Sequence, residues 1–418
     1  MAVGEVVQTA NRVTFRGVLR AELIPQAMRM IDTVVDVARY PTLIIDLEKV
    51  ETAYGSFLTI LLARLRYLRA NRIDVSIISP ERKSELDHLS RLNWLALLDV
   101  KGSQTRAARP DRPIPILPFN NADEQGRAID CISKSLLLQI SGLERAQVRA
   151  AQWAISEITD NVLNHANSLT GGLAYAQIHH AMKLIEFVVV DSGIGIPRSL
   201  GELDAGLALE KAITEGVTRN KNTNQGNGLY GTWRLATLSK GIFSIHSYRG
   251  NLFVRPDGSV RVESKSYRYP GTFVLFQIDF SDPMLISEAL MFKGVVHEPG
   301  YDFIEKEFET DDDNLYHIKL KDHVSSTGSR ESGKKIANLM ENVIRMAGSA
   351  RVEIDFEDIL VVSSSFADEC FGRLIARLGP AEFFARVSFK NTDQALRAII
   401  DRSVIQRMRY LSLASEPG

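Results

Sequence analysis

Four polar side chains gather in the segment SEITDNVLNHA: Glu157, Asn161, Asn164 and His165, at successive spacings of four, three and one. Steps of three and four residues bring helical side chains onto one face. The spacing therefore predicts a helix that is polar where a core-facing helix would be apolar. A carboxylate and a carboxamide one turn apart suit magnesium-assisted phosphoryl transfer. The amide oxygen is a hard ligand for the ion, and the carboxylate can orient a water or a hydroxyl. A solvated helix face accounts for the same residues equally well, so this segment decides nothing alone.

Further along, the apolar run LIEFVVVD delivers Asp191 into SGIGIP, a glycine-rich turn that a sheet interior would not accept. An Asp at a strand end can accept a hydrogen bond from an exocyclic amine such as that of adenine. Gly193 and Gly195 would let the backbone pass close to a base and ribose. The stretch NQGNGLYG then places Gly226, Gly228 and Gly231 before the helical pattern TWRLATLSK, an arrangement that can receive phosphate on backbone N–H groups. The preceding TRNKNTN reads as a lid. Gly271 and Thr272 follow Pro270 and open a strand, where the Thr272 hydroxyl could complete the adenine-side hydrogen bonds; a threonine opening a strand is also an ordinary strand former.

In this order, the four segments resemble the GHKL (Bergerat-type) ATP-binding domain, with its N box in SEITDNVLNHA, its glycine boxes in DSGIGIP and NQGNGLYG, and its terminal Gly-Thr. The resemblance covers residues 122–282. It implies ATP and Mg²⁺ as cofactors, Glu157 as catalytic carboxylate and Asn161 as magnesium ligand. It also implies Asp191 as adenine reader, with Asn164, Gly193, Gly195, Gly226, Gly228 and Thr272 completing the nucleotide site.

The elements that must position these residues read as follows. Helical patterns over 123–143 and 144–165 precede the strand patterns AYAQIHHAM and LIEFVVVD. Four more strand candidates, FSIHSY, LFVRP, SVRVESKSY and GTFVLFQIDF, follow, favouring an antiparallel sheet with helices on one face. Before this region, VTFRGVL, LIIDL and IDVSII read as strands, SFLTILLARLRYLRAN as an amphipathic helix and ERKSELDHLSRLNWLALLDV as another helix. The stretch KGSQTRAARPDRPIPILPFN is polar and Pro-rich, as a linker would be. After it all, DFIEKEF and LYHIKL read as strands, then a helix over 332–346, the strand VEIDF, a helix over 366–378, the strand ARVSFKN and a final helix. The expected boundaries are 1–105, a linker at 106–121, 122–282 and 300–418.

The two ends repeat one scheme: LIIDLEKVETAYGSF and VEIDFEDILVVSSSF each place an Asp-bearing apolar strand and an acidic turn before Ser-Phe and an apolar helix. The first resembles a STAS domain, the anti-sigma-factor antagonist fold, and the second resembles the STAS-like domain of unknown function appended to bacterial GHKL modules. The fold class expected is thus α/β and α+β multidomain: a central GHKL α/β sandwich flanked by two STAS-like α/β domains. In STAS domains a serine after the Asp strand accepts phosphate. Here Ser56 reads better as a helix N-cap than as an acceptor, and capping also explains one of Ser363, Ser364 and Ser365.

The 418 residues are 45% hydrophobic and 24% charged with a formal net charge of -1, a conventional globular composition with no bulk attraction for nucleic acid or anionic membrane. Cys131 and Cys370 lack metal or redox spacing, and no apolar run is long enough to span a bilayer, so the expected location is cytoplasmic. No phosphoacceptor helix precedes the N box, and His179 and His180 fall in a strand pattern, which disfavours a histidine kinase; the N box is similar to that of anti-sigma-factor serine kinases. The resemblance implies a regulatory protein partner, STAS-type among the options, and a homodimer. Two functions stay open: an ATP-driven switch with phosphoryl transfer to serine or water, and a non-catalytic scaffold that ATP stabilises.

Overall fold

The computed structural model describes residues 4–214, 216, 228–282, 291–292, 295–296, 302–312 and 314–414. Gly226 and the TRNKNTN segment lie outside the described residues. The chain is a mixed α/β multidomain protein whose backbone divides into two compact units: residues 1–108, 114–129 and 153–297 form the first, and residues 109–113, 130–152 and 298–418 the second.

The first unit holds two sheets. The N-terminal sheet comprises β1 (Glu5–Thr9), β2 (Arg12–Leu19), β3 (Thr42–Ala53) and β4 (Asp74–Ile78) in that order, with β1 antiparallel to β2 and the remaining pairs parallel. Its helices are α1 (Ile24–Asp32), α2 (Gly55–Ala70) and α3 (Lys83–Arg91). The second sheet is wholly antiparallel, in the order β5 (Leu117–Phe119), β6 (Gly172–His179), β7 (Leu184–Asp191), β9 (Val260–Asp279), β8 (Phe243–Val254). Helices α4 (Ala122–Gln139) and α5 (Arg145–Asn161) precede β6 and are each divided between the two units; α6 (Gly195–Leu200), α7 (Ala205–Ala212) and α8 (Gly228–Leu238) follow β7.

Helix α2 explains why these two sheets share one unit. Every residue from Gly55 to Leu65 is buried, against the expectation of an amphipathic helix. A helix that is apolar all round must be covered all round, and α2 packs on β4 of one sheet and on β6 and β7 of the other. Leu173, Tyr175, Val188, Val190, Phe273 and Leu275 from the antiparallel sheet join the α2 residues in a single apolar core. Their neighbours Ala174, Ala176, Phe187, Val189, Val274 and Phe276 are buried too. Burial on both faces is why LIEFVVVD and GTFVLFQIDF read as continuous apolar runs rather than alternating ones.

Several expectations need correction. Ser56 is not an N-cap: α2 starts at Gly55 after Tyr54, no side chain caps it, and Ser56 is buried inside the helix. The side chain of Tyr175 occupies the space where a Cβ on Gly55 would stand, so the helix start is set by packing. The helix over ERKSELDHLSRLNWLALLDV stops at Arg91, because Asn93 turns left-handed (φ 61) and exchanges hydrogen bonds of 2.9 and 2.8 Å with the Arg106 backbone. The four strand candidates after residue 240 are two long strands, β8 and β9, whose register shifts around Tyr248 absorb the glycine and proline signals. Thr272 therefore lies within β9 rather than opening a strand. The stretch read as a linker carries β5 and buries Ile114, Ile116 and Phe119. His180 leaves β6 for a one-turn 3₁₀ helix.

The second unit contains a parallel sheet of β12 (Leu315–Lys319), β13 (Arg351–Asp355) and β14 (Val387–Lys390), numbered after the short hairpin of β10 (Met291–Phe292) and β11 (Val295–Val296). Its main helices are Arg330–Met346, the composite helix 364–378, and Gln394–Ala414. DFIEKEF is a helix, Phe303–Phe308, not a strand: the Asp302 carboxylate caps the N–H groups of Ile304 and Glu305, and Phe303, Ile304 and Phe308 bury a helical rather than an alternating set. The helix expected from residue 332 begins at Arg330, capped by Ser329. That expected from residue 366 begins at Ser364, capped by Ser363, whose Oγ accepts from the Phe366 N–H at 3.0 Å.

Candidate functional site

Helix α5 carries Glu157 and Asn161 and then passes into a π-helical turn at Val162–Ala166 that contains Asn164 and His165. The wider turn changes the face on which Asn164 and His165 emerge, a local departure often found at functional positions. Glu157, Asn161 and His165 are half-buried and Asn164 is exposed. The π turn ends at Asn167 in a left-handed conformation, which leaves the Ala166 carbonyl to accept from the Ile194 N–H at 2.7 Å. The N-box segment and the DSGIGIP turn are joined at this bond.

The turn itself is built on absent side chains. A Cβ on Gly193 would overlap the Ala166 carbonyl, so only glycine permits this approach. Gly271, in β9, has φ +90, and a Cβ there would stand 2.6 Å from both Asp191 Oδ1 and the Gly193 nitrogen. Gly195 (φ +77) starts α6 beside Ser247, and a Cβ on it would lie 2.8 Å from the Ser247 hydroxyl. Gly228, at the start of α8, leaves the space that the Glu157 carboxylate enters.

At the centre sits Asp191, the last residue of β7 and only 5% exposed. Its carboxyl accepts from the Gly193 N–H at 2.7 Å and from the Thr272 backbone N–H. Burial nevertheless pushes its pKa up to about 7, with these two donors opposing the shift. Glu157 is likewise held at about 7, by burial first and then by the Asp160 carboxylate, against the Trp153 indole. Each carboxyl is raised toward neutrality beside a close backbone approach, a perturbation of the kind that functional residues show.

Thr272 is 8% exposed, and its hydroxyl lies 2.9 Å from Ser247 Oγ, directly opposite in the β8–β9 register. Ser247 also donates to the Gly271 carbonyl at 3.0 Å and accepts from the Ile196 N–H at 2.8 Å. Ser247 was absent from the expected residues. It sits in FSIHSY, an ordinary strand pattern, and only the pairing of β8 with β9 reveals that it ties α6 to the Gly-Thr pair. The structure thus brings Asp191, Gly193, Gly195 and Thr272 together with Ser247 and the end of the N-box segment, and separately brings Gly228 to Glu157. Gly226 lies outside the described residues.

The residues can be tested against a purine nucleotide. A carboxylate offers about four acceptor positions, and among the described residues two backbone donors use Asp191, so capacity for an amine donor remains. The glycines let the backbone segments around Asp191 close on one another, with Ala166, Ser247 and Gly271 taking the space that side chains would need. Asn161 offers one amide oxygen to a cation, and no group of three or more His, Cys, Asp or Glu able to hold a metal occurs among the described residues. Any Mg²⁺ here would depend on oxygens that the nucleotide itself supplies.

The fold and site together define a multidomain α/β protein in which glycine-rich backbone closes around a buried carboxyl. Residues 332–396 match the family described as STAS-like domain of unknown function (DUF4325), so the C-terminal part of the chain carries a STAS-like domain. No curated protein matches the chain. No helix among the described residues is long and apolar enough to cross a membrane.

Proposed function

We propose that this protein is an ATP-binding regulatory switch of the GHKL superfamily, in which nucleotide state governs how STAS-like domains dock. The observation that carries this reading is the meeting of the Gly271–Thr272 pair and the end of the N box at the DSGIGIP turn, the first against the buried Asp191 carboxyl and the second against Gly193 and Ile194. In this reading the Asp191 carboxylate accepts from the adenine amine, and Ser247 and Thr272 hold the strand edge that frames it. Asn161 holds Mg²⁺, which would neutralise phosphate charge. Glu157 takes the proton from an attacking serine hydroxyl or water, a role that requires it to be ionised and that a pKa of about 7 serves well. The N-terminal layer acts as a second STAS-like domain, the chain works in the cytoplasm as a homodimer, and its partner is a regulatory protein.

Incubation with γ-labelled ATP and magnesium tests the reading. Label on a serine of the C-terminal domain, lost in Glu157→Ala and Asn161→Ala, marks a kinase with a built-in substrate. Free phosphate without labelled protein marks an ATPase switch. Tight ATP binding with neither signal marks the non-catalytic scaffold, and no binding removes the nucleotide reading altogether.

A further inference from the structure

The residue after Asp191 faces the other way. Asp191, the last residue of β7, turns its carboxyl to Gly193 and Gly271, and Ser192, just past the strand end, turns to the N-terminal layer and is only 4% exposed. Its hydroxyl donates to the carbonyl of Ala63, in the middle of α2, at 3.1 Å. A helix carbonyl has a second lone pair free after its own helical bond, so this contact costs α2 nothing. One turn earlier, the Ile60 carbonyl lies 3.5 Å from the hydroxyl of Tyr269, at the long end for a hydrogen bond. Tyr269 is fully buried and stands two residues before Gly271 in β9.

The two segments that bracket the Asp191 carboxyl are thus both tethered to α2. One is the turn at Ser192; the other is the approach to Gly271, whose missing Cβ sets the spacing to Asp191. Helix α2 has little slack to offer them. It is covered from Gly55 to Leu65, Tyr175 blocks its first residue from shifting toward β6, and buried Arg64 pairs with Asp32 of α1 at 2.9 Å. A displacement of α2 would therefore move the ends of β7 and β9 relative to each other.

We propose that Ser192, seconded by Tyr269, is a positioning residue through which α2 of the N-terminal layer fixes Asp191 for purine recognition, so that base selectivity depends on an element outside the nucleotide cleft. This inference rests on the ATP reading of the site. The observable it moves is discrimination: a misplaced Asp191 loses its bond to the exocyclic amine, while the phosphate contacts are unaffected.

Equilibrium binding of ATP and of inosine triphosphate, which lacks that amine, to the full chain provides the test in wild type, Ser192→Ala and Tyr269→Phe. Wild type should prefer ATP. The preference should fall roughly 3- to 10-fold in Ser192→Ala, the loss expected from one hydrogen bond, and by a smaller factor in Tyr269→Phe. A role limited to fold stability would lower the melting temperature or weaken both nucleotides alike, and an unchanged preference in both variants overturns the proposal. If Ser192→Ala does not fold, the isosteric Tyr269→Phe decides alone. Binding of neither nucleotide by wild type removes the ATP reading together with this inference, whereas binding with unchanged preference removes only the inference.

Discussion

Asp191 is a buried carboxyl whose partners are backbone N–H groups rather than a cation, and that is a costly arrangement for a residue serving stability alone. With a folded pKa near 7 and an unfolded value near 3.8, the native state holds its proton more tightly than the unfolded chain does. Its contribution is therefore fully present below the unfolded pKa and is lost as pH rises through about 7. Glu157 follows the same sign from its own ordinary value. Asp191→Asn keeps an oxygen for the Gly193 N–H and removes the ionisable group. The variant should be more stable than wild type at pH 8, on the order of 4 kcal/mol, with little difference at pH 4. It should also lose ATP affinity. Melting curves at both pH values check the first part; a stability gain that is equal at both pH values would show that burial of the charge is not its origin.

At the scale of elements, the order of helices and strands from residue 122 to the Asp191 turn was legible because long apolar periods survive in the sequence; α5 and β7 fall within the stretches expected, while α4 begins one residue and β6 two residues ahead of theirs. What was not legible depended on partners far away in the chain. Helix α2 looks amphipathic until the antiparallel sheet covers its second side. The break at Tyr248 and the Pro270–Gly271 pair look like turns until β8 and β9 pair across them. DFIEKEF reads as a strand, whereas the Asp302 cap and the burial of Phe303, Ile304 and Phe308 make it a helix. The glycines around Asp191 were visible as residues, whereas Ser247 and Ser192 became visible only through register and packing. Two glycine substitutions separate approach from propensity. Gly193→Ala forces a methyl into the Ala166 carbonyl and should cost about 1–3 kcal/mol of stability together with ATP affinity. Gly126→Ala, in α4 with open space around it, should gain up to about 1 kcal/mol and leave affinity unchanged. Equal effects from the two would contradict the close approach at Gly193.

Over the whole molecule, the repeat read in the sequence has a structural counterpart within each unit. Asp46 lies in the middle strand of β2-β3-β4 and accepts from the Glu48 N–H at 3.1 Å. Asp355 ends the middle strand of β12-β13-β14 and accepts from the Glu357 N–H at 2.8 Å. In each the Asp carboxylate holds the N–H two residues on, but only the second closes a turn: β3 runs on to Ala53 through a register shift at Asp46–Lys49, whereas β13 ends at Asp355. The serines after them diverge: Ser56 is buried in α2, whereas Ser364 and Ser365 are exposed behind the Ser363 cap. If a phosphoacceptor exists in the chain, the C-terminal repeat is the one that leaves hydroxyls accessible.

The most direct measurement is calorimetric titration of the full chain with ATP in the presence of magnesium, alongside Asp191→Asn. Saturable binding at one site per chain, abolished or strongly weakened in a variant that remains folded, is the predicted result. A folded wild-type protein that takes up no ATP, or a variant that binds as tightly as wild type, would contradict the assignment of Asp191 as the centre of a nucleotide site.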